Sequence, residues 1–343
     1  MLQSFPEGRP TTNPYLLQLS DSLRPSTVVL GFSWPRALFA RYDVFHVHWP
    51  ELLCRGTTPA RSLARRTLVR ALLMRLRLTR VALVRTLHNA SPHEQGGRSE
   101  GELLRRLDAR TTLWIALNPT TARPSAAHPG SPLVTIPHGD YRAWFERMPR
   151  PGQVPGRLAF AGFIRPYKGV EELMAAFAAL PDDSLTLRIV GRPASPELAT
   201  AIRTSAGADH RISLNLDYVS DEELAEELGR AELVVLPYRT MHNSGAALLA
   251  LSLGRPVLVP VTEVNASLSR EVGAGWVHTF SPPLAPHALA RAIAALRETP
   301  RSPAPDLSER TWPGIADLHR EAYDRAVRLV RSRATALSAR ASG

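Results

Sequence analysis

Along almost the entire chain, short β-branched runs alternate with runs of helical period, the pattern of parallel strands joined by crossover helices. The first half offers STVVLGFSW (26–34), DVFHVHW (43–49), VALVRTLHN (81–89), TTLWIALNP (111–119) and LVTIPHG (133–139). A second series follows in RLAFAGF (157–163), LTLRIVG (185–191), RISLNLDYV (211–219), ELVVLPY (232–238) and PVLVPV (256–261). Helices fit between them: VEELMAAFAAL (170–180), DEELAEELGRA opened by a Ser220/Glu223 capping box, and GAALLALSL ending at Gly254. A last helix is expected from Pro313 to about Arg333. Between the two series, ERMPRPGQVPGR (146–157) has no period and reads as an interdomain linker. The expectation is an α/β chain of two doubly wound, Rossmann-like domains, residues 1–150 and 151–312, followed by a helical segment, 313–343.

At 343 residues and 44% hydrophobic, the chain can build a core in each domain. A single cysteine, Cys54, excludes a disulfide framework and a cysteine-based zinc site. The opening MLQSFPEGRPTTNPY lacks the basic and apolar regions of a signal peptide, and no apolar run reaches bilayer length, so a cytoplasmic protein is expected. Lys and Arg number 42 against 31 acids, a net charge of +11, and Lys168 is the one lysine. Such a surface suits anionic lipid or phosphorylated substrates; without a zinc-finger, RNA-recognition or basic-zipper pattern, nucleic acid is not the expected partner.

Two doubly wound sheets are expected to turn the loops at their strand ends toward a ligand cleft. In FAGFIRPYKGVEEL, Arg165 and Lys168 stand between a strand end and a helix start, where backbone N–H groups and the helix dipole favour an anion. In ELVVLPYRTMHNSGAALLALSLGRPV, a strand ending at Tyr238 leads to Asn243, Ser244 and Gly245 at the next helix start. Ser244 can cap that helix or donate to a phosphate, and Gly191 with Arg192 adds a further wall. Together these loops suit the diphosphate of a nucleotide derivative. No G-x-x-x-x-G-K-[ST] loop and no G-x-G-x-x-G after a strand is present, which argues against a kinase, an ATPase or a nicotinamide enzyme.

The strings GFIRPYKGVEELMAAFAAL, LRIVG, YVSDEELAEELGRAELVVLPY and SGAALLALSLGRPV together resemble the donor domain of GT-B glycosyltransferases, particularly the group 4-like family. TWPGIADLHREAYDRAV resembles that family's closing helix, which implies that the 313–343 segment returns to the N-terminal domain. The resemblance implies diphosphate contacts from Arg165, Lys168, Asn243, Ser244 and Gly245, and a nucleotide site at Gly191, Arg192, Tyr218, Val219 and Tyr238. It implies a nucleotide-sugar substrate, no metal and no further cofactor. One departure stands out: the family's paired glutamates would fall at Met241 and Leu249, neither of them acidic.

The first half carries its own polar constellation in VFHVHWPE, TLHNASPHE and IPHGDY, three histidine-bearing strand ends. With NPY near the start, these strings resemble bacterial exopolysaccharide glycosyltransferases, including those passing mannose from GDP-mannose to a lipid-linked oligosaccharide. The resemblance implies an acceptor side with Asn13, Tyr15, His48, Trp49 and Asp140, and catalytic candidates Glu51, Glu94, His88 and His138. A carboxylate or imidazole near the attacking hydroxyl is what an inverting displacement requires of its base. A GT-B epimerase or phosphorylase, or a non-catalytic nucleotide-sugar binder, are the alternatives.

Segment 60–80 reads as a basic helix without acids. Leu63, Ala64, Thr67, Ala71, Met74 and Leu78 are expected to face the core. Leu68, Leu72 and Leu76, mixed with Arg61, Arg65 and Arg75, would then form a face suited to an anionic membrane, at the inner side of the plasma membrane; a solvated helix packed on the sheet is the alternative.

Overall fold

A computed structural model describes residues 1–8, 13–88, 97–239, 241 and 243–341, the side chains of 333–341 excepted. The chain divides into two compact units, Met1–Gly139 with Glu309–Gly343, and Asp140–Ser308. Tyr141 and Phe145 are buried in the core of the second unit, so that unit begins before the 146–157 segment expected to link the two.

The first unit runs β1 (Leu2–Gln3), α1 (Pro14–Leu23), α2 (Trp34–Phe39), β2 (Val44–Val47), α3 (Glu51–Cys54), α4 (Pro59–Leu78), β3 (Ala82–Leu87), α5 (Arg98–Arg110), β4 (Leu113–Ala116) and β5 (Leu133–Thr135). Its sheet is parallel throughout, in the order β1-β2-β3-β4-β5. Alternation along the strands splits the core in two. Val44, Val84, Leu113 and Ile115 pack on one face with Tyr15 and Leu19 of α1. Phe45, Val47 and Leu83 pack on the other with Leu72 and Leu76 of α4 and Leu103 of α5. Each such buried side chain stabilises the fold by roughly 1.5–3 kcal/mol. Of the expected strand 26–34, only Leu30 bridges, to Leu2, because Ser33 caps α2 and turns the chain into a helix.

The second unit runs β6 (Arg157–Ala161), α6 (Val170–Ala178), β7 (Thr186–Val190), α7 (Pro196–Ala206), β8 (Ile212–Asn215), α8 (Asp221–Gly229), β9 (Leu233–Val235), α9 (Gly245–Ser252), β10 (Val257–Pro260), α10 (Glu263–Val272), β11 (Val277–Phe280) and α11 (Pro286–Glu298). Its parallel sheet has the order β11-β10-β9-β6-β7-β8. Strand order therefore reverses between β6 and β9, and the loops leaving those two strands open at the switch point. The Ser220/Glu223 capping box forms in both directions at the start of α8. The chain then returns as α12 (Trp312–Ala341), whose Trp312, Ile315, Tyr323 and Ala326 complete the first unit's core beside α1.

One correction concerns α4. Val69, Leu72 and Leu76 are its buried residues, whereas Leu63, Ala64, Thr67, Ala71, Met74 and Leu78 are exposed, the reverse of the expected faces. The arginines of the inner flank are held by neighbouring backbone. Arg75 donates to the carbonyls of Ala37 and Ala40 at the end of α2, and Arg65 to those of Leu52 and Arg55 at the end of α3.

Candidate active site

In the second unit, the loops after β6 and β9 are built against each other. Arg239 N–H donates to the Tyr167 carbonyl at 3.0 Å, and Arg239 Nε donates to Glu172 Oε1 at 2.7 Å. Two glycines allow the close fit. Gly169 has φ +65°, and a Cβ there would lie 2.2 Å from the Pro237 carbonyl oxygen; one on Gly191, at φ +132°, would lie 2.2 Å from that of Gly162. Ile164 N–H donates to the Arg192 carbonyl at 2.9 Å, so the Arg165 and Gly191–Arg192 turns run side by side.

Around this frame the structure gathers most of the second-unit residues singled out in the sequence. Lys168 Nζ lies 5.2 Å from the Tyr238 ring centroid and 5.9 Å from that of Phe160. Burial, then the charge of Arg165, lowers the Lys168 ammonium to about 8. Among the described residues, neither Lys168 nor Arg165 has a carboxylate partner; Arg165 lies over the Phe163 ring at 5.2 Å. Two close cations without a counter-ion are what an anion site looks like before its anion arrives. Ser244 caps α9, accepting from Ala247 N–H at 3.2 Å, and its hydroxyl also reaches the Tyr238 phenol, which burial pushes up. Asn243 and Gly245 flank it in sequence. Tyr218, 74% exposed, follows the end of β8, while Val219 packs on the core. Met241 is buried with its Sδ 3.5 Å from Asn265 Nδ2, and Leu249 packs on the core, so apolar side chains stand where carboxylates were looked for.

In the first unit, β2 and β3 lie side by side and carry histidines to their carboxyl ends. His48 Nε2 lies 3.2 Å from Gln3 Oε1, which places the imidazole proton on Nε2. Nδ1 of His48 is then the acceptor for His88 Nε2–H at 3.0 Å. Behind them, His46 is wholly buried between the Tyr323 hydroxyl and Thr86 Oγ1, each at 2.8 Å. Trp49 stacks on His88 with centroids 4.2 Å apart, and Tyr15 reaches His88 at 5.3 Å and His138 at 4.5 Å. His138 Nδ1 lies 2.7 Å from the Gly139 carbonyl. Gln3 is a member of this array that the strings alone do not point to; β1, at two residues, is too short for a periodic signal.

Burial dominates the electrostatics here. It lowers His88 to about 3, His138 and His319, the latter on α12 with its ring 5.8 Å from that of His46, to about 4, and His46 and His48 well below the ordinary imidazole range, with like-charge repulsion adding to most of these. All five are neutral near pH 7. Unfolded histidines would bind protons below about 6.5 while the folded ones cannot, so stability is full above that pH and falls as pH drops toward 4. Each histidine contributes up to about 1.4 kcal/mol per pH unit across that window. Thermal melts are expected to show a steep loss between pH 7 and pH 5, reduced in His319→Gln; a flat profile would show that the cluster is already hydrated.

Neutral, low-pKa imidazoles make poor general bases, which turns attention to the carboxylates. Glu51 opens α3, directly after the HVHWP turn; its carboxylate makes no side-chain hydrogen bond or ion pair among the described residues, and the buried Arg85 guanidinium lies within its electrostatic reach. Asp140 departs from expectation: it belongs to the second unit, where Arg142 grips its carboxylate through Nε at 3.0 Å and Nη2 at 2.6 Å, leaving it no basic role. Asn13 caps α1, its Oδ1 accepting from Tyr15 N–H at 2.9 Å. Glu94 lies outside the described residues. Among those residues, no group of three or more His, Cys, Asp or Glu side chains is placed to hold a metal ion.

The family model of Glycosyl transferases group 1 matches residues 155–299. Over 324 residues the chain is 47% identical to a GDP-mannose:glycolipid 4-beta-D-mannosyltransferase of Xanthomonas campestris pv. campestris, covering 94% of this chain and 91% of that one. The UDP complex of Anabaena Alr3699/HepE is similar in structure, with a TM-score of 0.58 at 17% identity over 98% of this chain and 99% of its own. Sucrose-phosphate synthase from Thermosynechococcus elongatus gives a TM-score of 0.52 at 16% identity over 87% and 74% of the two chains. Likeness at such low identity speaks for the fold alone. The two parallel-sheet units, the matched donor-domain model and the near full-length relative lead to one conclusion: the chain belongs to the group 1 glycosyl transferases and is a glycosyltransferase of GT-B fold.

Proposed function

We propose that this enzyme transfers mannose from GDP-mannose to a lipid-linked saccharide, with inversion at the anomeric carbon, as a step in polysaccharide assembly at the cytoplasmic face of a membrane. The observation that carries the donor half is the pair Arg165 and Lys168, close cations without a carboxylate partner among the described residues, at the switch point of the second sheet. The relative's name supports the sugar, the acceptor class and the stereochemistry. A β-linked product from an α-linked nucleotide sugar requires a single displacement, and such a displacement needs no enzymic nucleophile on the donor side, in keeping with Met241 and Leu249.

In this reading the acceptor hydroxyl attacks C1 of mannose, its proton passes to the Glu51 carboxylate, and the C1–O bond to GDP breaks. Lys168, Arg165 and the backbone N–H groups at Ser244 and Gly245, beside Asn243, stabilise the charge gathering on the departing diphosphate. Gly191, Arg192, Tyr218, Val219 and Tyr238 surround the nucleoside. Tyr15, His48, Trp49 and His88 form the neutral acceptor-side wall, with His138 beside Tyr15.

The test is thermal stabilisation by GDP, GDP-mannose, UDP and UDP-glucose. A ligand at 100 times its Kd stabilises by about 2.7 kcal/mol, so the guanosine compounds are expected to raise Tm by several degrees and the uridine compounds to do less. Equal response to both bases, or none to any, would overturn the proposed donor.

A further inference from the structure

Helix α4 turns an apolar stripe outward. Residues 63, 67, 71, 74 and 78 recur every three or four positions and so share one face. On it Leu63 is 63% exposed, Met74 57% and Leu78 73%, with Ala64, Thr67 and Ala71 exposed beside them. Val69, Leu72 and Leu76 on the opposite side are already buried in the first unit's core, so the outer stripe is not needed for folding. Phe39, 82% exposed, ends α2, which Arg75 ties to the same end of α4 through the Ala37 and Ala40 carbonyls.

The charge pattern selects the occupant. From Pro59 to Leu78 the helix contains no Asp or Glu, and exposed Arg70 and Arg77 run along one flank of the stripe. A protein partner of ordinary composition would not require a face devoid of acids, whereas an anionic bilayer does: apolar side chains enter the acyl boundary while guanidinium groups meet headgroups. No helix among the described residues is long and apolar enough to cross a membrane, so any attachment through α4 lies in the interface plane.

We propose that the outward face of α4, made by Leu63, Thr67, Ala71, Met74 and Leu78 with Arg70 and Arg77, docks the enzyme on an anionic lipid surface. This deepens the reading of a lipid-linked acceptor, and it assigns the contact to the stripe opposite the one the arginine-leucine pattern suggests.

Sedimentation of the full chain with phosphatidylcholine vesicles, with and without phosphatidylglycerol, tests it. Binding is expected with the anionic vesicles only, and it weakens with salt. Arg70→Gln with Arg77→Gln is expected to weaken it about 25-fold, at about 1 kcal/mol for each arginine. A triple Leu63→Glu, Met74→Glu, Leu78→Glu variant is expected to abolish it while keeping its circular dichroism, GDP-mannose affinity and transfer to a short-chain soluble acceptor. Arg203→Gln with Arg291→Gln, on the second unit, is expected to bind like the parent. Equal binding to both vesicle types, or full binding by the triple variant, would overturn the proposal. So would a lipid-free dimer that the same glutamates dissociate, which would assign the face to a second copy. Donor binding measured in parallel keeps this outcome separate from the enzyme's proposed donor: a parent chain that binds GDP-mannose but no anionic vesicles overturns the docking face alone.

Discussion

Glu51→Gln is expected to slow sugar transfer by roughly 10²- to 10⁴-fold while donor affinity stays as it is. The side chain opens α3 at the carboxyl end of β2, in the unit that holds the histidine array, with no side-chain hydrogen bond or ion pair among the described residues and the buried Arg85 guanidinium within electrostatic reach. Its surroundings are the reason to expect a carboxylate and not an imidazole to take the acceptor proton. His88, lowered to about 3, would be a very weak base, and its Nε2 proton is committed to His48. Glutamine keeps the size and hydrogen-bonding reach of Glu51 and removes only basicity, so a fall in rate without a fall in stability isolates proton transfer. Single-turnover rates with bound GDP-mannose, set beside calorimetric donor affinity, read the two separately. Full-rate transfer by Glu51→Gln would move the base elsewhere.

Lys168→Ala and Arg165→Ala are each expected to weaken GDP-mannose binding by about 1.5–3 kcal/mol, roughly 10- to 150-fold, the worth of a charge-assisted hydrogen bond. Lys168 adds a signature in pH. Burial and Arg165 lower its ammonium to about 8, and a bound diphosphate favours the protonated form, so binding takes up a proton above that value. Donor affinity is therefore flat below about pH 8 and falls up to tenfold per unit above it. Lys168→Arg, always charged, is expected to bind more weakly at pH 7 for want of the right geometry, yet to show no fall above 8. Calorimetry from pH 7 to 9.5 on the parent and both Lys168 variants checks this; a parallel fall in Lys168→Arg would place the titration on another group.

The loops of the second unit were legible because they obey local rules: a strand end, a cation pair, a glycine and a helix start follow one another within 157–170, and Ser220 with Glu223 announces α8 three residues apart. Elements set by tertiary pairing were not. β1 has two residues and exists only because β2 lies beside it. β11, VHTF, sets a histidine and a threonine side by side between apolar ends and so carries no strand period, yet it pairs along its whole length with β10. In α4 two leucine-bearing stripes compete, and the arginines around the inner one suggest a membrane-facing surface; the Arg65 and Arg75 guanidinium groups instead cap the carbonyl ends of α3 and α2. Asp140 was drawn into the acceptor side by its place after His138, but Arg142, two residues on, claims its carboxylate.

The return of α12 sets an order of completion on the ribosome. Val84, Leu113 and Ile115 emerge early, yet Trp312, Ile315 and Tyr323, which cover them, are made only after the whole of residues 140–308. At about 5–20 residues per second, that stretch occupies roughly 10–30 s of synthesis. The unit begun first is thus finished last, and during the interval its sheet presents an apolar face to nascent-chain chaperones while the donor unit, contiguous in sequence, is free to fold behind it. Once Ser308 has cleared the ribosome, residues 140–308 can close as a unit while the first unit still lacks α12, so a delay in release at that point leaves one half of the chain folded and the other open.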